Sequence, residues 1–150
     1  MKKILLTLLS SCFILMPPSV DKSERKVIVT DQAPAAIGPY SQAILVGNQL
    51  YLAGQIPIDP ATGKMVEGGI EAQIRQVMQN LKEVLNAAGF SFNEVVKTEV
   101  FLTDLNNYNT LNSIYATYFQ ASPPARFVVQ VNRLPKDALL EIAMTAIKKE

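Results

Sequence analysis

Apolar residues in the middle of the chain recur at Ile70, Ile74, Val77, Leu81, Val84, Leu85 and Ala88, three or four apart, with charged and amide residues between them. That spacing lines up one face of a helix and predicts an α-helix over 70–88, closed by Gly89. The period then changes to two. From Glu94 to Thr103, Val96, Thr98, Val100 and Leu102 fall on one side, and Val95, Lys97, Glu99, Phe101 and Thr103 on the other. This is a strand whose second face mixes apolar residues with charges and is only partly covered. Val27–Thr30 is short and β-branched, a first strand. Ala43–Val46 and Gln49–Gln55 flank Gly47-Asn48, which predicts a tight hairpin. A second helix is expected over Tyr108–Phe119, with Leu111, Ile114, Tyr115 and Tyr118 along one side and Ser122-Pro123-Pro124 as its stop. Ala125–Leu134 and Leu139–Lys148 read as two final strands separated by Pro135-Lys136-Asp137.

Two connections carry no such periodicity. Asp31–Tyr40 holds Pro34, Gly38 and Pro39 and is a loop. Ile56–Gly69, with Pro57, Asp59-Pro60 and Thr62-Gly63-Lys64, is a long irregular connection of the kind that often bears function. The resulting order is strand, strand, strand, helix, strand, helix, strand, strand. It predicts an α+β sandwich, a mixed six-stranded sheet with both helices on one face. The other face is only partly polar, so a subunit interface is expected there.

Length and composition narrow the chemistry. A chain of 150 residues suits one domain with a real core. Its formal net charge of +1 provides no electrostatic footprint for nucleic acid, and the absence of tryptophan leaves no obvious stacking platform for bases. There is no histidine, which removes Ser-His-Asp and Cys-His catalysis and the usual zinc ligand sets. Cys12 is the only cysteine, so the chain forms no internal disulfide. Catalysis is left to Arg, Glu, Asp, Tyr, Ser, Thr, backbone amides and water.

The first residues differ from the rest. Lys2-Lys3 precede an apolar run to Met16, which describes a signal peptide and is short for a spanning helix. Leu9-Ser10-Ser11-Cys12 also fits a lipoprotein box, and a translation start at Met16 would leave the leader unmade. The expected divisions are a leader over 1–16, a linker over 17–26 and a domain over 27–150. Location follows from the leader: exported to the periplasm if it is real, cytoplasmic if translation begins at Met16. No stable membrane domain is expected.

One side chain stands apart. Arg126 follows Pro123-Pro124-Ala125 directly and opens the apolar run Phe127-Val128-Val129. An arginine so placed points either to solvent or into a pocket. In a pocket its planar fork of donors fits a carboxylate.

Five segments occur in order: Ala33–Gln42 (APAAIGPYSQ), Ala53–Pro57 (AGQIP), Asp104–Asn106 (DLN), Pro124–Arg126 (PAR) and Arg133–Asp137 (RLPKD). In them the chain, from about Val27 to Ile147, closely resembles the RidA family of reactive intermediate deaminases, the 2-iminobutanoate/2-iminopropanoate deaminases. The resemblance implies a chorismate-mutase-like fold and a homotrimer with active sites in clefts between subunits. It also implies hydrolysis of enamine and imine acids to 2-oxo acids and ammonia, with no metal or cofactor. In that reading Arg126 binds the substrate carboxylate and Glu141 positions water. Tyr40 lies over the substrate, Gly54 offers its main chain, and Asn112 sits near the cleft. The family often has serine where this chain has Ala53, and cysteine where it has Val128. The substrate pocket therefore has fewer side-chain donors here.

Each of these residues also has a plain structural reading. Arg126 could be a surface residue at a strand start, Glu141 an outward-facing strand residue and Tyr40 a loop tyrosine packed on the core. Gly54 could be a strand-end glycine and Asn112 an exposed helix residue. Two other functions stand beside the deaminase: a trimer that binds small carboxylates without turnover, and a chaperone-like or translation-affecting protein.

Overall fold

The computed structural model describes residues 24–149. The leader, and the linker as far as residue 23, lie outside them. Ten regular elements follow: β1 (Arg25–Ile28), β2 (Ala43–Val46), β3 (Gln49–Gln55), β4 (Ile58–Asp59), β5 (Lys64–Met65), α1 (Gly69–Ala87), β6 (Val95–Leu102), α2 (Tyr108–Tyr115), β7 (Ala125–Gln130) and β8 (Leu140–Ile147). Six strands form one mixed sheet in the order β1-β2-β3-β8-β6-β7. All its pairs are antiparallel except β6–β7, whose parallel register needs the crossover through α2.

The helical period places Ile74, Val77, Met78, Leu81, Val84 and Leu85 on the buried side of α1. They meet Leu50 and Leu52 of β3, Val100 and Leu102 of β6, and Leu140, Ile142 and Met144 of β8. Gly89 ends α1 in the left-handed region at φ 75, where its N–H reaches the Asn86 carbonyl. None of the described helices covers the opposite sheet face. Tyr51, Phe127, Val129 and Ile147 stay exposed on it, while Phe101 and Phe127 meet edge to face at 6.0 Å. The predicted α+β arrangement, helices on one face and an uncovered second face, is the one observed.

Several boundaries differ from the sequence reading, each for a local reason. β1 starts at Arg25, two residues ahead of the expected strand, because Arg25 and Lys26 pair with Val46 and Leu45 of β2. The long connection is not wholly irregular. Ile58 and Asp59 pair with Met65 and Lys64, and the Asp59 carboxylate closes the turn by accepting from Ala61 N and Thr62 Oγ1. Val96 does not join Thr98 in the core. A register shift between Val95 and Lys97 turns Val95 inward instead and leaves Val96 exposed. α2 ends at Tyr115, and a turn carries Phe119 back onto Tyr115 and Phe92 at ring distances of 4.5 and 5.2 Å. β7 ends at Gln130, where its partner β6 also ends.

Three buried amide side chains tie the irregular segments to this frame. Gln42 accepts from Thr30 N at 2.7 Å and donates to the carbonyls of Thr30, Ala33 and Pro34. Asn80 on α1 donates to the carbonyls of Ile56 and Ile58. Gln73, also on α1, accepts from Leu139 N at 2.9 Å, just before β8. Backbone groups in these stretches have no ladder to join, so the amides satisfy them. Replacing Gln42 with leucine leaves those groups unmatched in a buried place. We expect a loss of about 1–3 kcal/mol of stability, read as a lower urea midpoint at constant slope. An unchanged midpoint would show that the loop holds itself.

Candidate functional site

Among the described residues, side chains singled out in the sequence line two concave regions. The first is a cavity of about 360 Å³ lined by Ile37, Tyr40, Ala53, Gly54, Ile56, Pro135 and Glu141. Its walls are the Asp31–Tyr40 loop, the end of β3 and the start of β8. The Tyr40 loop is compact. Tyr40 N donates to the Gly38 carbonyl at 2.8 Å, and its hydroxyl accepts from Ile37 N at 3.2 Å. The ring is half exposed and stands as a wall of the cavity rather than packing on the core.

Glu141 is the only ionisable group on that wall besides Tyr40. Leu140 and Ile142 on either side of it point into the core, so alternation along β8 turns Glu141 to the uncovered face. Its side chain lies directly over Gly54. A methyl on Gly54 would overlap Glu141 Oε1 and come within 2.8 Å of the carboxyl carbon. The β3–β8 register is irregular between Leu52 and Gln55, and this brings the Gly54 backbone up to the carboxylate. Gly54 therefore answers to more than ligand approach: it vacates the space that Glu141 fills. Among the described residues no hydrogen bond reaches the Glu141 carboxylate, and burial pushes its pKa above the ordinary carboxylate value. A half-buried carboxylate of this kind can accept a proton from water and return it.

The second region, about 450 Å³, is lined by Asn112, Tyr115, Ala116, Phe119, Pro123, Pro124 and Arg126. Arg126 Nη2 donates to Asn112 Oδ1 at 2.6 Å. Its guanidinium carbon lies 4.6 Å from the centre of the Tyr115 ring and 5.7 Å from that of Tyr108. Among the described residues Arg126 forms no salt bridge. Its charge is held by dipoles and ring faces, and the remaining donors of its fork are left for an anion. Burial raises the Tyr115 pKa despite its hydrogen bond to Thr98 and the nearby Arg126 charge, so this phenol stays neutral. Val128 lies on the same side of β7 as Arg126, half-buried against the core and outside both cavities.

The structure thus brings Tyr40, Gly54 and Glu141 together, and separately Arg126 and Asn112. Within one chain the two groups do not meet. Arg126 pairs in register with Thr98, and Glu141 with Phe101, three residues further along the central strand β6. An odd separation places the two side chains on opposite faces, with β6 between their strands. Their Cα atoms are about 14 Å apart by strand geometry, about 10 Å along and about 10 Å across. Tyr108 and Tyr115 were not singled out in the sequence. Their spacing from Asn112 along α2 was the available signal, but only the crossover from α2 to β7 brings that helix face against Arg126.

Gly54→Ala tests the tie between backbone and carboxylate. The added methyl displaces Glu141, and activity that depends on this carboxylate should fall about 100-fold or more, the scale of a lost general base. Secondary structure by circular dichroism should be retained. Wild-type rates in this variant would show that Glu141 acts elsewhere.

Among the described residues no three carboxylate or cysteine side chains come close enough together to hold a metal ion. Comparison with known proteins is consistent along the chain. The family model described as endoribonuclease L-PSP matches residues 30–148. A RutC family protein of Sulfurisphaera tokodaii is 55% identical over 123 residues, 82% of this chain and 98% of the relative. The 2-iminobutanoate/2-iminopropanoate deaminase of Mus musculus is 51% identical over 124 residues, 83% of this chain and 92% of that protein. Among solved structures, YyfA of Yersinia pestis, described as a protein of the conserved Rid family, superposes with a TM-score of 0.81 at 50% identity. It covers 83% of this chain and 100% of its own. These matches, with the sheet order, establish that the chain belongs to the RidA family.

Proposed function

We propose that the protein is a hydrolytic deaminase that converts 2-imino acids, and the enamines that tautomerise to them, into 2-oxo acids and ammonia. The observation that carries this reading is the Glu141 carboxylate, half-buried in an apolar cavity and without a hydrogen-bond partner among the described residues. A pure carboxylate binder has no use for it. Arg126 supplies the complementary group, a fixed cation whose fork matches the substrate carboxylate.

The reaction follows from these two groups. Arg126 anchors the carboxylate, which fixes C2 of the imine near Glu141. Glu141 takes a proton from water as the water oxygen attacks C2 and returns it to the imine nitrogen, giving a neutral tetrahedral carbinolamine. Glu141 then passes the C2 hydroxyl proton to the amino nitrogen, the C–N bond breaks, and ammonia leaves as the C2 oxygen becomes the carbonyl of the 2-oxo acid. Water is the only co-reactant. Tyr40 covers the bound substrate, and the Gly54 backbone sets the carboxylate. Ala53 stands where relatives often carry a hydroxyl group, and with Ile37 and Ile56 it gives the substrate side chain a largely apolar wall. Smaller aliphatic imines such as 2-iminopropanoate and 2-iminobutanoate fit this lining.

Because the halves lie on opposite faces of one sheet, the working site joins Arg126 and Asn112 of one copy to Tyr40, Gly54 and Glu141 of another. A closed homotrimer builds three such clefts at once and covers the exposed Tyr51, Phe127 and Val129. This assembly has a sharp test. Arg126→Ala and Glu141→Gln are each expected to be nearly inactive alone. Co-assembled trimers should regain activity, since some clefts then receive an intact half from each variant. Absence of complementation in mixed trimers would place both residues in a site within one copy.

The enzyme reading is tested by generating 2-iminopropanoate in situ and following its loss above the spontaneous rate. Glu141→Gln should lower kcat about 100-fold or more, as loss of a general base does. Arg126→Ala should raise KM about tenfold or more, matching loss of charged hydrogen bonds. Binding of 2-oxo acids without turnover by the wild type would leave a small-carboxylate-binding trimer instead. The pH dependence has a defined sign. Activity needs the Glu141 carboxylate, so kcat/KM should fall as pH drops through its raised pKa, above the range of an ordinary glutamate. Stability runs the other way. Folding favours the protonated acid, so Glu141's contribution is full below its unfolded pKa and is lost as pH rises through the folded one. Glu141→Gln should therefore be more stable than wild type at neutral pH, and this gain should vanish in acid.

A further inference from the structure

Arg126 is held by more than its hydrogen bond to Asn112. Tyr108, Asn112 and Tyr115 are four and three residues apart, so they project from one side of α2. They surround the guanidinium: Asn112 Oδ1 takes one proton of Nη2 at 2.6 Å, the Tyr115 ring lies 4.6 Å from the guanidinium carbon, and the Tyr108 ring lies 5.7 Å from it. The tyrosines are not equivalent. Tyr115 is buried, 5% exposed, and its hydroxyl is fixed at 2.8 Å to Thr98 on β6, the strand residue in register with Arg126. Tyr108 is 41% exposed at the start of the helix.

We propose that Tyr115, fixed through Thr98, and Tyr108 are positioning residues: their ring faces set the plane of the Arg126 guanidinium and so the direction from which a carboxylate is received. The inference rests on the reading of Arg126 as carboxylate anchor and extends it to residues that do not touch the substrate carboxylate themselves. An exposed arginine side chain samples many rotamers, and holding it in one costs entropy on each binding event. Ring faces attract the cation without neutralising it. A carboxylate in their place would hold the guanidinium equally well but would consume the fork and cancel its charge. Among the described residues no carboxylate pairs with Arg126. The chain therefore uses a restraint that fixes the plane and leaves the charge intact. The Thr98–Tyr115 bond gives the restraint a rigid footing, because Thr98 is fully buried in the central part of the sheet.

The test uses the intact assembly and measures two quantities: KM and kcat for 2-iminopropanoate, and the Kd for pyruvate, the corresponding 2-oxo acid, by calorimetry. Tyr115→Leu removes the ring face and should weaken pyruvate binding and raise KM, each about tenfold, with kcat changed by less than about twofold. Tyr115→Phe keeps the face and loses only the hydroxyl, and should bind pyruvate within about threefold of wild type. Tyr108→Leu, at an exposed position where folding is not at stake, should raise both constants about two- to threefold. Equal falls in kcat and binding for Tyr108→Leu and Tyr115→Phe would mark a general structural role and overturn the proposal. So would wild-type binding in both Tyr108→Leu and Tyr115→Leu. If those two variants bind normally while Arg126→Ala does not, the anchor stands and the cradle fails. If Arg126→Ala binds pyruvate as wild type does, the anchor reading itself falls, and the cradle with it.

Discussion

The position of β8 between β3 and β6 is the constraint on which the rest of this structure depends. A strand paired on both edges has its backbone fully used, so its side chains divide strictly between two faces. Leu140, Ile142, Met144 and Ala146 go inward, where α1 covers them. Glu141 must then go outward. Its carboxylate meets Gly54 there because β3, the neighbouring strand, breaks register between Leu52 and Gln55. The same pairing that completes the core therefore aims the only carboxylate of the cavity. A one-residue slip of β8 would bury Glu141 and expose Ile142, and this couples folding register to function.

β6 plays the corresponding part on the other side. Paired with β8 in one direction and β7 in the other, it sends Thr98 and its in-register partner Arg126 to the helix face. The connection from β6 to β7 must cross over that face, and α2 is the crossover. Its Tyr108, Asn112 and Tyr115 thus come to lie against Arg126 as a consequence of topology. Arg126 and Glu141 are consequently built on opposite sides of one sheet.

Polar residues inside the protein do a distinct job. Gln42, Asn80 and Gln73 are buried, and each satisfies backbone groups of a segment that borders the Glu141 cavity. Burying an amide is costly unless its groups are paired, and these are paired. These bonds tie the loops of the cavity wall to the rest of the fold. Glu141 is the exception: it is partly desolvated and has no hydrogen-bond partner among the described residues, an arrangement that stability alone would not select.

Much of this was legible in the residues themselves. The three-and-four spacing of α1 and the hairpin at Gly47-Asn48 need only local rules, so their positions could be read directly. The RidA motifs marked Arg126, Glu141, Tyr40, Gly54 and Asn112 as belonging to one chemistry. Three things were decided only by tertiary structure. Bulges were one: pattern alone put Val96 in the core, but pairing with β8 turned Val95 in instead. Element ends were another, since β7 stops where its partner stops. The last was the partition of the site. No local pattern reveals that Arg126 and Glu141 face opposite ways, because that depends on the registers of two different strands against β6, contacts between residues far apart in the chain. Local chemistry determined which residues this protein has to work with, and long-range pairing determined which of them stand together.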